Sequence, residues 1–322
     1  MLRHRGDGRA TLASMHHRSL RLVRLAPFCA ASWLALSACS DASHAGVPTT
    51  ASIIDDRHID ESSGLARSQR VDDLLWTLND SGGAAELYGL DRQGHRRVTL
   101  AITGATNLDW EDLASYRHDG KPYLLIGDMG DNQAVRQTTT YYRVEEPQVA
   151  PGPGPHSLSV RPDAIYTLRY PDGPRDAESL AVDGVENKAY VLSKRNAMPR
   201  LYRFDLGTAA AIGTSAAMEA LGQIQIPRVT ARVWNHASRH NWVTTMDFDD
   251  GLSRAYVGGL LHGYFYDRAD GESWAQALAR EPRAFDLPDY PQIEAATFER
   301  GSSSRLYITS EQLPAPLARL EP

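Results

Sequence analysis

Short runs of alternating apolar and polar residues fill most of the chain from about residue 50 to its end. Five segments share one pattern. A small polar or acidic residue opens an apolar strand, a turn rich in Asp, Gly, Asn or Ser follows, and a second strand carries apolar and aromatic residues. The segments are 62–80, 110–128, 177–194, 246–260 and 293–311. Alternation with a period of two, together with aromatic and β-branched residues, indicates β-strands.

Further strands follow these pairs. Third strands are predicted at 86–91, 139–144, 200–206 and 263–268, and fourth strands at 98–103, 165–170, 223–227 and 283–288. Four short strands per unit, repeated about five times, predict an all-β fold, a β-propeller with four-stranded antiparallel blades. We expect five blades, with six possible, because two intervals between units are long enough for extra loops or a degenerate blade.

The two ends of the repeat predict how the ring closes. Strand Ala51–Ile54 precedes the first unit, and the last unit lacks a clear fourth strand. We therefore expect the N-terminal strand to complete the last blade, because closure removes the open sheet edges. The one helical-looking stretch, Ala209–Leu221, is expected to be a surface insertion. Residues 51–322 then form a single propeller domain.

The first 38 residues differ from the rest. Six arginines stand against one aspartate, and an apolar stretch then ends at Cys39. This order is typical of a secretory signal peptide. The tetrapeptide Leu36-Ser37-Ala38-Cys39 resembles the lipobox of bacterial lipoproteins. The resemblance implies that residues 1–38 are a signal peptide, that Cys39 is lipidated and that 39–50 are a flexible tether. Because Ser40 follows, it also implies an outer-membrane lipoprotein on the periplasmic or cell-surface side. An ordinary signal peptide is the alternative.

Composition narrows the functional classes. The chain has 40 acidic against 34 basic residues and a net charge of −6, and without the arginine-rich leader the charge is −11. This balance argues against a nucleic-acid-binding surface. Two cysteines exclude a disulfide scaffold and a Cys-ligated zinc domain. The sequence holds no G-x-S-x-G elbow, P-loop or Rossmann fingerprint.

Acidic residues recur at equivalent places of the repeat. The first strand of each blade lines the channel of a propeller, so the repeat places Ser63, Glu111, Glu178, Asp247 and Glu294 at one level. A second layer follows the second strands, at Asp80, Asp128, Lys194 and Glu311. Converging carboxylates raise one another's pKa, whereas a bound cation neutralises them.

Ca²⁺ suits such a ring because it takes six to eight oxygen ligands in flexible geometry. The candidate metal ligands are Asp80, Asp109, Glu111, Asp128, Asp131, Glu178, Asp247, Glu294 and Glu311. The alternative for each is a turn residue that accepts backbone hydrogen bonds. Lys194, Arg195 and Arg136 lie in loops near these acids, where they either hold an anionic small molecule or are simply solvated.

Several of these motifs together resemble a known family. ESSGLA, LWTLNDSG, DWEDLA, GDMGDN and DAESLAVD are similar to blade openings of secreted bacterial β-propellers of the phytase-like (esterase-like phytase) kind. The resemblance implies that Glu111, Asp128, Glu178 and Glu294 are channel or calcium ligands. It also implies calcium-dependent hydrolysis of a phosphoester or a related ester.

Three functions stay open at this point. The first is a membrane-anchored binding or assembly module for a protein or glycan partner, with a calcium-stabilised acidic channel. The second is the calcium-dependent phosphoesterase or esterase, and the third is a glycoside hydrolase that uses paired carboxylates. The fold cannot decide between them, because propellers host both enzymes and binding modules. The density of acids favours the metal-dependent enzyme, whereas the absence of a complete catalytic motif favours the binding module.

Overall fold

The computed structural model describes residues 48–152, 154–196, 198–207, 215–227 and 242–322. The predicted signal peptide, the lipobox and Cys39 lie outside the described residues. The strands in chain order are β1 (Pro48–Ile54), β2 (Ser62–Arg67), β3 (Leu75–Asn79), β4 (Glu86–Leu90), β5 (Arg96–Ile102), β6 (Trp110–His118), β7 (Lys121–Asp128), β8 (Thr139–Glu145), β9 (His156–Val160), β10 (Ala164–Arg169), β11 (Ala177–Asp183), β12 (Lys188–Ser193), β13 (Arg200–Asp205), β14 (Ala216–Ala217), β15 (Glu219–Gln223), β16 (Val243–Phe248), β17 (Arg254–Gly259), β18 (His262–Asp267), β19 (Arg283–Asp286), β20 (Ile293–Phe298), β21 (Leu306–Ser310) and β22 (Ala315–Leu320).

These strands form five mostly antiparallel sheets, which are the five blades of a β-propeller. From the inside outwards the blades are β2-β3-β4-β5, β6-β7-β8-β10, β11-β12-β13-β15, β16-β17-β18-β19 and β20-β21-β22-β1. Each inner strand contacts the inner strands of both neighbouring blades, so the ring is closed. The predicted all-β propeller with five blades is confirmed.

Strand β1 closes the ring as predicted. It pairs antiparallel with β22, from Ile54 opposite Ala315 to Pro48 opposite Leu320. The strand begins at Pro48, three residues before the start predicted from the sequence. The last blade therefore combines the first and the last strands of the domain, and the chain between β1 and β2 ties it to the first blade.

Within the described residues, the two long intervals between units hold added strands and no sixth blade. Strand β9 pairs parallel with β5 and widens the first blade, and β14 pairs parallel with β10 and widens the second. The helix-like stretch 209–221 was misinterpreted, because its described part contains β14 and the start of β15. The fourth strand of the third blade is Glu219–Gln223 rather than 223–227.

The hydrophobic core is divided into five clusters, one between each pair of neighbouring blades. Trp76 and Trp110 are fully buried between the first and second blades. Between the third and fourth blades, Phe248 stacks on Trp274 with 3.8 Å between ring centroids. Trp274 opens the short helix α1 (Trp274–Leu278), which Ser273 caps. No helix in the described part of the chain has the length and hydrophobicity of a membrane span.

Candidate functional site

Each inner strand carries a β-bulge at its second residue. The ladder skips Ser63, Glu111, Glu178, Thr244 and Glu294. A bulge re-aims a side chain, so these five positions form one level near the N-terminal ends of the inner strands. Four of them were predicted from the repeat. In the fourth blade the equivalent residue is Thr244 and not Asp247, because the shorter turn of that unit displaced the sequence alignment by three residues.

The second layer of the repeat is set by a recurring backbone hydrogen bond. The N–H groups of Asp80, Lys194 and Glu311 donate to residues 61, 176 and 292, which stand two positions before the bulge. In the second blade the N–H group of Met129 makes this bond, to the carbonyl of Asp109. The residue equivalent to Asp80 is therefore Met129, and Asp128 stands one residue before it. A one-residue offset turns a side chain to the other face of the sheet. The buried Asp128 carboxylate accordingly pairs with Arg136, at 2.7 Å.

Three of the predicted ligands meet at the end of the channel where the inner strands begin, which we call the channel mouth. One carboxylate oxygen each of Asp80, Asp109 and Glu111 lies within 4.8 Å of the other two. Two oxygens bound to one Ca²⁺ at 2.3–2.6 Å lie at most about 5 Å apart, so this spacing is compatible with a shared ion. Among the described residues, no Lys, Arg or His side chain forms an ion pair with these three acids.

A second group shares Glu111. Its oxygen also lies within 4.8 Å of oxygens of Asp176 and Glu178. Here the protein supplies its own cation, because the Lys194 ammonium contacts Glu178 and lies 3.7 Å from Glu294. The two halves of the mouth therefore differ: Lys194 contacts an acid in one, whereas in the other no basic side chain of the described residues lies within ion-pair distance of Asp80, Asp109 or Glu111.

The two predicted substrate-binding arginines are already paired. Arg195 donates from Nε to Asp176 at 2.6 Å, and Trp242 lies against its guanidinium at 4.3 Å from ring centroid to Cζ. Arg136 donates to Asp128 and to the Gly130 carbonyl. With Lys194, these side chains balance carboxylates of the mouth instead of standing free for an anionic ligand.

The carboxyl groups have raised pKa values. Burial, followed by the Glu178 carboxylate, raises the pKa of Glu111 well above its ordinary value. Burial and the Asp109 carboxylate raise the pKa of Asp80 to about 7, and burial with Glu294 raises that of Glu311 to about 9. Burial disfavours the ionised form, and neighbouring acids add to this cost, which a bound cation would offset.

The residues around the triad fit a hard cation. Asp80, Asp109 and Glu111 offer only oxygen donors, the kind that Ca²⁺ prefers. Gly130 leaves room beside them, since a Cβ atom there would overlap oxygens of both Glu111 and Asp109. These three carboxylates would hold the ion, and water would complete its shell.

The remaining candidates serve other contacts. Asp131 accepts the N–H of Arg136 at 2.7 Å and donates its own N–H to Asp176, so it holds the turn after β7. Asp247 lies apart from the acidic mouth. Its carboxylate accepts from the buried Arg67 guanidinium at 2.5 Å and from the N–H of Phe298 at 2.9 Å.

Two functional positions escaped the sequence analysis. Asp176 stands two residues before Glu178, as Asp109 stands before Glu111, so the repeated D-x-E was a usable signal. Asp112 is buried, and its carboxylate accepts from the N–H groups of Leu113 and Leu180 at 2.8 Å and from Met246 at 3.3 Å. It therefore joins the inner strands of three blades inside the channel.

Comparisons with known proteins reach the fold and no further. No protein-family model and no curated protein matches the chain. Among solved structures, the major allergen Mala s 1 of Malassezia sympodialis matches with 9% identity and a TM-score of 0.52, over 84% of this chain and 95% of that one. A chain of a nidogen/laminin complex matches with 12% identity and a TM-score of 0.39, over 78% and 72% of the two chains. Raptor of Chaetomium thermophilum matches with 12% identity and a TM-score of 0.37, over 83% of this chain and 20% of that one.

Proposed function

We propose that this β-propeller is a binding module whose acidic channel mouth holds one Ca²⁺ ion. The observation that carries the proposal is the convergence of Asp80, Asp109 and Glu111 within 4.8 Å, without a basic partner in the described chain. Arg136 and Lys194 act on Asp109 and Glu111 from beyond ion-pair distance. Three buried or half-buried carboxylates without an ion-pair partner are still unfavourable, and a divalent cation offsets that cost. The ion would stabilise the loops that carry these acids.

The surroundings of the mouth favour binding over hydrolysis. A phosphoesterase needs cations free to hold the phosphate, but Lys194, Arg195 and Arg136 are each paired with carboxylates of the protein. Leu108 and Val135, two apolar side chains in loops of the same mouth, are 62% and 63% exposed. A partner docked on this face would remove both side chains from water, which is favourable. A protein or glycan partner would dock on this face, and the predicted lipid anchor at Cys39 would hold the module at the outer membrane.

Calcium titration of the protein by isothermal calorimetry tests the proposal. We expect saturable binding of one ion after chelator treatment, with a melting temperature that rises on adding Ca²⁺ and falls in chelator. Glu111→Gln and Asp109→Asn should abolish both effects. Glu219→Gln is the matched control, since Glu219 is an exposed acid that pairs with Arg203 in the third blade.

Two results would contradict the proposal. One is a melting temperature indifferent to both calcium and chelator. The other is calcium-dependent turnover of a phosphoester panel that Glu111→Gln abolishes, which would establish the hydrolase instead.

A further inference from the structure

A second concave site lies at the opposite end of the channel, where the inner strands end. It is a cavity of about 340 Å³, and all five blades line it, through Arg67, Ser115, Val182, Phe248 and Arg300 among others. Pockets of about 300 to 1,000 Å³ are typical of small-ligand sites, so this one has room for a small molecule. It is separate from the acidic mouth, which the N-terminal ends of the same strands surround.

The floor of this cavity offers both a donor and an acceptor. Gln69 and Ser115 are 5% and 6% exposed, and the Gln69 amide nitrogen donates to the Ser115 hydroxyl oxygen at 3.2 Å. That bond leaves the hydroxyl proton of Ser115 and the carbonyl oxygen of Gln69 to interact with a ligand. A group that both accepts and donates, as a hydroxyl does, is complementary to this pair.

Charge at the cavity is balanced. Three guanidinium groups (Arg67, Arg117 and Arg300) and two carboxylates (Asp249 and Asp250) line it. Asp247, which forms an ion pair with Arg67, supplies a third carboxylate next to the lining. Arg67 donates to Asp247, Asp250 and the Phe248 carbonyl. An anion would face the aspartates and a cation the arginines, so neither has a net attraction. A neutral polar ligand has no such conflict.

The rim adds a charged donor and an apolar patch. Arg117 is exposed and donates to the carbonyls of Gly120 and Gln69, and no carboxylate of the described residues pairs with it. Val185 is 83% exposed beside it, and Leu252 continues this apolar wall. Sugar rings combine hydroxyl groups around the edge with an apolar C–H face, which matches such a lining.

We propose that this axial cavity binds one neutral sugar residue, either free or at the end of a glycan. Hydroxyl groups would bond Ser115, Gln69 and Arg117, and the C–H face would lie against Val185 and Leu252. The site is independent of the proposed calcium triad, because its residues lie at the other ends of the inner strands.

Saturation-transfer NMR and calorimetry on the calcium-loaded protein test this proposal. The probes are glucose, galactose, mannose and N-acetylglucosamine, with gluconate and inorganic phosphate as charged comparisons. We expect saturable binding of at least one neutral sugar and none of the two anions. Arg117→Met should weaken that binding about tenfold, the effect of losing a charged hydrogen-bond donor.

Val185→Ser is the second variant, since this exposed side chain can change without disturbing the core and the change removes the apolar surface on which the C–H face would lie. It should weaken sugar binding about fivefold at an unchanged melting temperature. Arg203→Met, in an exposed ion pair of the third blade, is the control and should bind as wild type does. Failure of all four sugars, binding of gluconate or phosphate alone, or full binding by Val185→Ser would overturn the proposal.

Discussion

At the scale of single residues, the centre of the propeller depends on Asp112. Its carboxylate accepts three backbone N–H groups, from Leu113, Leu180 and Met246, which belong to three different inner strands. Burial raises the pKa of Asp112 well above its ordinary value, and the three N–H donors oppose this shift because they stabilise the charged form. One side chain thus fixes the relative positions of the second, third and fourth blades at the axis.

Replacing Asp112 by Asn should destabilise the protein strongly. The amide keeps one oxygen acceptor but brings an NH₂ group against backbone donors, so at least one buried N–H loses its partner. We expect the free energy of unfolding in urea to fall by about 2–4 kcal/mol. Asp119→Asn is the control, because Asp119 is exposed in a turn at φ 49°, a conformation that Asn tolerates. Equal stability of the two variants would show that Asp112 does not hold the strands.

The acidic residues of the site differ in how well the sequence predicted their positions. Asp80 and Glu111 were found because the repeat aligns them, and Asp109 because it stands in the acidic run that opens the second blade. The structure brings the three together. Asp128 and Asp247 were displaced by one and three residues in that alignment. Because side chains alternate between the two faces of a strand, an odd displacement assigns a residue to the wrong face. Asp112 gave no signal, because acceptance of N–H groups from two other blades depends on contacts distant in sequence.

At the scale of elements, the prediction was best where the strands pair with their chain neighbours. The inner three strands of each blade follow one another, and their alternation identified them. Strands β9 and β14 were missed because each leaves its own blade and pairs parallel with the preceding one. Both strands are short, and their own sequences do not indicate which strand they pair with.

The role of β9 gives a test at this scale. Val160 turns its carbonyl towards β5, where it accepts the N–H of Thr103, and alternate residues face the same way, so Leu158 faces β5 and Ser157 faces outwards. Leu158→Pro should remove a ladder hydrogen bond, whereas Ser157→Pro should not. We expect faster hydrogen exchange of the β5 amides in Leu158→Pro only, measured by mass spectrometry against Leu158→Ala. Equal exchange in both proline variants would mean that β9 does not protect the edge of the first blade.

At the scale of the whole molecule, stability depends on how the ring of blades is closed. Each blade packs only on its two neighbours through its own hydrophobic cluster, so the blade that joins the ends is the vulnerable one. Strand β1 solves this by belonging to the last blade while leading directly into the first. The pattern of hydrophobic residues was enough to predict this closure, because an orphan strand at one end matched a missing strand at the other.

Two circular permutants separate the covalent tie from the pairing itself. In both, a short linker joins Leu320 to Pro48, which lie opposite each other in the ladder. Opening the chain at residues 55–61 keeps every blade whole but removes the covalent link between the last blade and the first. Opening it at Asp270–Gly271, an exposed turn, moves the closing strand into the fourth blade. We expect the second permutant to melt near the wild-type temperature and the first to melt lower, because its closing interface can separate without breaking a blade. The reverse order of melting temperatures would show that covalent closure is unimportant.

The position of β1 also sets an order of events during synthesis. Residues Pro48–Ile54 leave the ribosome before the rest of the propeller, whereas their partner, Ala315–Leu320, is made about 260 residues later. At about 5–20 residues per second, β1 waits roughly 15 to 50 seconds for that partner. An unpaired apolar strand would be an aggregation hazard over such a time. The first five residues of β1, Pro-Thr-Thr-Ala-Ser, are instead small and largely polar, which lets this strand stay unpaired until its partner is made.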